Sequence, residues 1–159
     1  MIRGKVVLDT NVVVSALLNS FGAPGRVLDL VLAGELTVVH DDRVLDEWRR
    51  VLAREKFGFS AADVEALLAF VKEEGLGVNP SPLGIDLPDP DDLPFLEVGH
   101  SAGAALIIGN TKHYPPEKRH GVVVLDPATF LEEWISKSRE EERANRSDST
   151  GNGPATRDG

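Results

Sequence analysis

The chain of 159 residues contains no cysteine, so it can form neither disulfide bonds nor thiolate metal sites. It has no apolar run near the roughly 20 residues that a transmembrane helix needs. Its first residues also lack the apolar core of a signal peptide. These absences favour a cytoplasmic protein that does not bind membranes.

An excess of positive charge is also lacking. The chain carries 26 Asp and Glu residues against 17 Lys and Arg residues, which gives a formal net charge of −9. This balance argues against a broad basic surface for duplex nucleic acid. It still allows a nuclease that neutralises its substrate with bound metal and a few basic side chains, and it suits a basic partner.

Short apolar runs alternate with amphipathic segments over most of the chain. Strands are predicted at residues 6–8, 36–39, 105–108 and 122–125, with helical segments between and after them. This alternation predicts an α/β fold, a three-layer α/β/α sandwich with a mostly parallel central sheet. We expect residues 1–135 to form this domain. Residues 136–159 are polar, with no large apolar side chain after Ile135, so we expect a disordered tail.

Asp9 is the first candidate site residue. It follows the apolar run Val6-Val7-Leu8 directly and therefore falls at the carboxyl end of a buried strand. Ligands and catalysis collect at this edge of an open α/β sheet. Because an unpaired carboxylate is costly to bury, Asp9 needs either a metal ion or a ring of backbone N–H groups.

Glu47 is the second candidate. The apolar residues of the predicted helix 42–54 form one stripe, consisting of Val44, Leu45, Trp48, Val51 and Leu52. Glu47 borders this stripe, whereas Asp46 points nearly opposite. Glu47 can therefore face inward, or it can pair with Arg43, Arg50 or Arg54 on the helix surface.

Asp91 and Asp92 precede a further helix whose apolar face includes Phe95 and Leu96. Projected back one turn, Asp92 falls on this face and Asp91 on its edge. Acidic residues are also favoured at helix N-termini, where they cap free N–H groups. The segment therefore suits a helix cap and a functional site equally well.

Asn110, Lys112 and His113 follow the predicted strand 105–108. Asn110 should share a sheet edge with Asp9, although Asn is also common in turns after glycine. Lys112 and His113 could contact phosphate, but His113 also fits an ordinary surface loop. Together with distant carboxylates, these residues suit phosphodiester hydrolysis by Mg²⁺ or Mn²⁺, which prefer oxygen ligands.

Four segments together resemble PIN-domain proteins, most closely the toxin components of bacterial toxin–antitoxin systems. They are residues 6–11 (Val-Val-Leu-Asp-Thr-Asn), 44–52 (Val-Leu-Asp-Glu-Trp-Arg-Arg-Val-Leu), 89–96 (Asp-Pro-Asp-Asp-Leu-Pro-Phe-Leu) and 109–114 (Gly-Asn-Thr-Lys-His-Tyr). Residues 124–131 also fit this group. The resemblance covers about residues 4–135, and its weight comes from the order and spacing of the motifs.

The resemblance implies a Mg²⁺- or Mn²⁺-dependent ribonuclease of the virulence-associated protein C type, held inactive by a cognate antitoxin protein. Its acidic cluster maps onto Asp9, Glu47 and Asp92, and Asn11 is carried over as a polar group that orients the site. Many members have a fourth acid where this chain has Asn110 or His113. The number of metal ions therefore stays open, as does the formation of a homodimer. The alternative is a PIN fold that binds RNA or protein without cleaving.

Overall fold

The computed structural model describes residues 4–149 and shows alternating strands and helices. The strands are β1 (Lys5–Leu8), β2 (Thr37–His40), β3 (Leu76–Gly77), β4 (Ala105–Ile107) and β5 (Val124–Leu125). The helices are α1 (Thr10–Leu18), α2 (Ala23–Leu32), α3 (Asp42–Leu52), α4 (Ala61–Glu74), α5 (Leu93–Ala102) and α6 (Pro127–Ser149). Single 3₁₀ turns lie at Glu55–Phe57, Pro90–Asp92, Thr111–His113 and Pro116–Lys118.

The five strands form one sheet in the order β3-β2-β1-β4-β5, and every neighbouring pair is parallel. Strand β1 is central, with Leu8 in register with Ile107 of β4. From β1 the chain moves first to β2 on one side and later to β4 on the other. The strand order therefore reverses between β1 and β4, the place where open α/β sheets form a ligand crevice.

Helices cover both faces of this sheet. Helix α5 packs against β1, β2 and β4 and contacts α3, while α2 packs against α1 and α6. Buried parallel strands need apolar side chains on both faces, and Val6, Val7 and Leu8 are each at most 1% exposed. The three-layer α/β/α fold with a parallel sheet is thus confirmed.

The structure differs from the sequence-based expectation at the C-terminus. Residues 136–149 were expected to be disordered, whereas α6 continues through them to Ser149. Extending a helix is cheaper than nucleating one, because each added residue contributes a hydrogen bond. The first turns of α6 are anchored by buried Phe130 and Leu131, so a segment rich in Arg, Glu and Ala can continue the helix without burying apolar surface. The expected tail beyond, residues 150–159, lies outside the described residues.

Two smaller differences concern element boundaries. Strand β3 was not predicted, because two residues are too few to show a periodic pattern. The apolar run 12–18 predicts the first helix, and the observed helix α1 begins two residues earlier, at Thr10, directly after Asp9. None of the helices between residues 4 and 149 combines the length and apolar character that a bilayer span requires.

Candidate active site

Asp9 lies where β1 turns into α1, at the carboxyl edge of the sheet beside β4. Its amide donates a 3.0 Å hydrogen bond to the carbonyl of Ile107, and its own carbonyl accepts one of 3.0 Å from Val12. The backbone is extended at Asp9, which occupies the N-cap position of α1. The side chain is only 8% exposed. The local chain thus places a carboxylate in a nearly dry position at the carboxyl edge of the sheet.

The environment of Asp9 disfavours its negative charge. Burial raises the pKa of this carboxyl to about 6, and the charge of Asp92 is the next largest cause. Two effects lower the pKa in part: a hydrogen bond from the backbone of Thr10 and the charge of His113. The charge of Glu47 raises the pKa further. Repulsion between nearby carboxylates disappears when a cation binds between them. Asp9 is therefore suited to hold a cation at neutral pH.

Asp92 is the second buried carboxylate at this edge. It ends the 3₁₀ turn Pro90–Asp92, directly before α5, and is 8% exposed. Its Oδ2 lies 3.1 Å from Nδ1 of His113. Burial and the charge of Asp89 raise the pKa of Asp92, while His113 lowers it. The capping side chain in this segment is that of Asp89, which accepts a hydrogen bond of 2.9 Å from the amide of Asp91 at the start of the 3₁₀ turn, whereas Asp92 makes no side-chain cap bond to α5.

Tyr114, the single tyrosine of the chain, is buried beneath Asp9 and Asp92 and bonds to the backbone of Asp92. Its side chain is fully buried, and its hydroxyl donates a 3.3 Å hydrogen bond to the carbonyl of Asp92. Burial and the charges of Asp9 and Asp92 raise its pKa above the usual range. The hydroxyl therefore stays protonated and remains a donor, which fixes the backbone that carries Asp92.

Glu47 on α3 is partly buried and also paired with an arginine, the two arrangements that the sequence left open. Its side chain is 26% exposed, whereas that of Asp46 is 74% exposed, so Asp46 is the solvent-facing acid as predicted. The carboxylate of Glu47 is nevertheless paired with Arg50, whose Nη2 lies 2.8 Å from both carboxylate oxygens. Glu47 is close enough to raise the pKa of Asp9, but its charge is shared with an arginine of its own helix.

The remaining predicted residues lie around these three acids. Asn11, Asp91 and Lys112 are exposed. The side chain of Asn110 accepts a 3.1 Å hydrogen bond from the amide of Lys112, so it caps the turn Thr111–His113. His113, predicted as a possible phosphate contact, lies 3.1 Å from the carboxylate of Asp92. The supporting and phosphate-binding roles of these residues stay predictions.

The donor chemistry at this edge fits a hard divalent cation. Asp9 and Asp92 present desolvated carboxylates, and the hydroxyl of the neighbouring Thr10 is buried without a hydrogen-bond partner in the described part of the chain. The third predicted ligand, Glu47, forms an ion pair with Arg50. Accordingly, residues 4–149 contain no group of three acidic or histidine side chains placed to hold one metal ion. The convergence of all three predicted carboxylates on one ion stays a prediction.

An ion pair between the exposed Arg43 and the buried Glu97 lies against the loop that leads to Asp92. Glu97 of α5 is 4% exposed, and its two carboxylate oxygens accept hydrogen bonds of 2.8 Å from Arg43 and 2.7 Å from the amide of Leu83. Arg43 also pairs with Asp41, the N-cap of α3. This network joins α3, α5 and the loop between β3 and Pro90, which are the segments that carry Glu47 and Asp92.

Sequence reasoning missed Tyr114, Glu97 and the pairing of His113 with Asp92. Each depends on contacts between segments far apart in the chain: Tyr114 lies 22 residues from Asp92 and Arg43 lies 54 residues from Glu97. A single tyrosine after a strand gives no periodic signal. An acid inside the apolar face of α5, at Glu97, was a usable signal, because a buried carboxylate requires a partner.

The fold and the site define a three-layer α/β domain with two adjacent buried carboxylates at the point where the strand order reverses. The family model for the PIN domain matches residues 5–112, and the chain belongs to this family. PIN domains are generally metal-dependent nucleases. The chain is also similar to an uncharacterized protein of Methanocaldococcus jannaschii, with 32% identity over 113 residues, which cover 69% of this chain and 72% of the relative.

Proposed function

We propose that this PIN-domain protein is a Mg²⁺- or Mn²⁺-dependent endoribonuclease that acts as the toxin of a toxin–antitoxin pair. The observation that supports this most directly is the buried Asp9 beside Asp92, at the carboxyl edge between β1 and β4. Family membership adds the general expectation of a nuclease. The activity of the archaeal relative is not known, so it contributes no substrate.

In this proposal, Asp9 and Asp92 hold the cation, and Glu47 completes the set once it leaves Arg50. A divalent ion held by these residues would supply activation of water and stabilisation of charge on the scissile phosphate. His113 orients the carboxylate of Asp92 through the 3.1 Å contact, and Tyr114 fixes the Asp92 backbone. Lys112 would contact an RNA phosphate, a role that its exposed side chain supports.

Partners follow from the same proposal. The substrate is RNA, and a cognate antitoxin protein restrains the activity in the cytoplasm. A partner with basic side chains suits the net charge of −9. Whether the toxin acts as a homodimer is a question for sedimentation or light scattering.

A PIN fold that binds RNA or protein without cleaving is the second candidate. The resemblance favours it, because many family members have a fourth acid where this chain has Asn110 or His113, and so does the pairing of Glu47 with Arg50. The absence of a three-ligand group within residues 4–149 points the same way.

Cleavage of RNA by purified protein in Mn²⁺ tests the proposal. Asp9→Asn and Asp92→Asn should each lower the cleavage rate by orders of magnitude, because Asn keeps the shape but loses the charge that holds a cation. Asp46→Asn, at the exposed position one residue before Glu47, is the matched control and should cleave like the wild type. Cleavage that survives both Asp9→Asn and Asp92→Asn would support the non-catalytic alternative and indicate a contaminating nuclease.

A further inference from the structure

Arg50 and Glu47 form the most complete side-chain ion pair near the candidate site. Nη2 of Arg50 lies 2.8 Å from each carboxylate oxygen of Glu47, and Nε lies 3.2 Å from Oε2. Both carboxylate oxygens are therefore engaged by one guanidinium. In this arrangement Glu47 has no free charge to offer a cation, although it lies near Asp9.

Arg50 also lies at the same end of the molecule as the acidic loop before α5. The charge of Asp91, next to Asp92 in the chain, is one of the causes that raise the pKa of Arg50. The contacts of the guanidinium that define its position are those with Glu47, one of the proposed ligands. A cation bound by Glu47 would repel this positive charge.

We propose that Arg50 is a positioning residue that holds Glu47 in the metal-free protein and competes with a divalent cation for its carboxylate. This inference rests on the proposed metal-dependent function. It accounts for the observation that the charges of Asp92 and Glu47 both act on Asp9, yet no three-ligand group forms in residues 4–149. Binding of the cation at Asp9 and Asp92 transfers Glu47 from the guanidinium to the metal.

The strength of the pair suits such an exchange. The side chain of Arg50 is 59% exposed and that of Glu47 is 26% exposed, and exposed ion pairs are weak because water and salt screen them. A divalent cation carries twice the charge of the guanidinium and meets a more desolvated group of carboxylates. The pair therefore lowers the metal affinity only by a small factor, about two- to fivefold for a pair of this exposure.

Arg49 provides a matched control on the same helix. It is similarly exposed, at 51%, and pairs with Glu65 on α4 at 3.1 Å and with Asp46 at 3.6 Å. It has the same charge as Arg50 but faces acids that lie away from Asp9. Any effect that follows from a general loss of positive charge should therefore appear in both variants.

Isothermal titration of the purified, metal-free protein with Mn²⁺ tests the proposal without any RNA. Arg50→Ala should bind Mn²⁺ about two- to fivefold more tightly than the wild type, with Arg50→Lys between them because it keeps the charge but loses the two-pronged contact. Arg49→Ala should match the wild type. In a Glu47→Gln background, Arg50→Ala should give no further gain, since the competition acts through Glu47.

Each other result overturns the proposal. If Arg50→Ala and the wild type bind Mn²⁺ equally, Arg50 does not compete, while the proposed metal-dependent function stands. If the gain persists in the Glu47→Gln background or appears in Arg49→Ala, the effect is long-range repulsion and not release of Glu47. If neither the wild type nor Arg50→Ala binds Mn²⁺, the proposed function fails together with this inference.

Discussion

The indole Nε1 of Trp48 donates a 3.2 Å hydrogen bond to the carbonyl of Leu8, the last residue of β1. Trp48 is fully buried, so this bond fixes α3 against the end of the central strand. Glu47 and Asp9 are the chain neighbours of these two residues. One hydrogen bond therefore sets the spacing between the helix that carries Glu47 and the strand end that carries Asp9.

The stability of the fold should depend on pH, because the ionised carboxylate of Asp9 is unfavourable in its buried position. Its pKa is about 6 in the fold, against 3.8 for an unperturbed group. An acid whose pKa is higher in the folded state stabilises the protein below pH 3.8, and this contribution is lost as the pH rises through 6. The lost stability amounts to about 3 kcal/mol.

Asp9→Asn has no such titration, so in EDTA it should gain stability over the wild type as the pH increases from 4 to 7. Urea unfolding of both proteins at four pH values measures the difference in unfolding free energy. A difference that is the same at pH 4 and pH 7 would show that Asp9 is not destabilised by its surroundings.

Arg43→Ala should destabilise the fold by about 2 kcal/mol, because the buried carboxylate of Glu97 then loses its ion pair and keeps the hydrogen bond from the amide of Leu83. Arg49→Ala removes a pair between exposed side chains and should melt close to the wild-type temperature. Thermal unfolding followed by circular dichroism compares the two. Equal melting temperatures for Arg43→Ala and Arg49→Ala would mean that the Glu97 network does not stabilise the loop before Asp92.

Much of the fold could be predicted from periodicity. The apolar run at Val6-Val7-Leu8 indicated the central strand, and the stripe through Val44 and Trp48 oriented α3 correctly, with Asp46 outward. The two-residue strand β3 and the polar half of α6 carry no hydrophobic pattern, so binary patterning could not show them. The sheet order also depends on contacts between segments, which no local pattern encodes.

The candidate site was partly predictable for a similar reason. A carboxylate directly after a buried strand, Asp9, lies at a sheet edge by geometry alone. The partners of the acids do not follow from spacing: His113 reaches Asp92 across 21 residues. For Glu47, spacing allowed three arginines as partners, and only the side-chain geometry selects Arg50.

A chain that ends at Ser138 should fold and melt cooperatively at nearly the full-length temperature. The side chains of residues 139–148 are exposed, whereas Phe130 and Leu131 in the first turns of α6 are buried and Trp134 packs against the core. Removing exposed polar turns costs little, because almost no apolar surface becomes exposed. A large drop in melting temperature would show that the distal half of α6 docks onto the domain.

Mn²⁺ should raise the melting temperature of the wild-type protein. A ligand that binds only the folded state stabilises by mass action, by about 2.7 kcal/mol at 100 times its dissociation constant. For a domain of this size, this corresponds to a shift of roughly 5–10 °C. Mg²⁺ should act in the same direction but more weakly.

This shift in melting temperature depends on the carboxylates of the candidate site. Asp9→Asn should therefore lose most of the shift, whereas Asp46→Asn, which changes a 74% exposed side chain, should keep it. If millimolar Mn²⁺ leaves the wild-type curve unchanged, the crevice does not hold a divalent ion, and the PIN fold that binds without cleaving becomes the better account of Asp9 and Asp92.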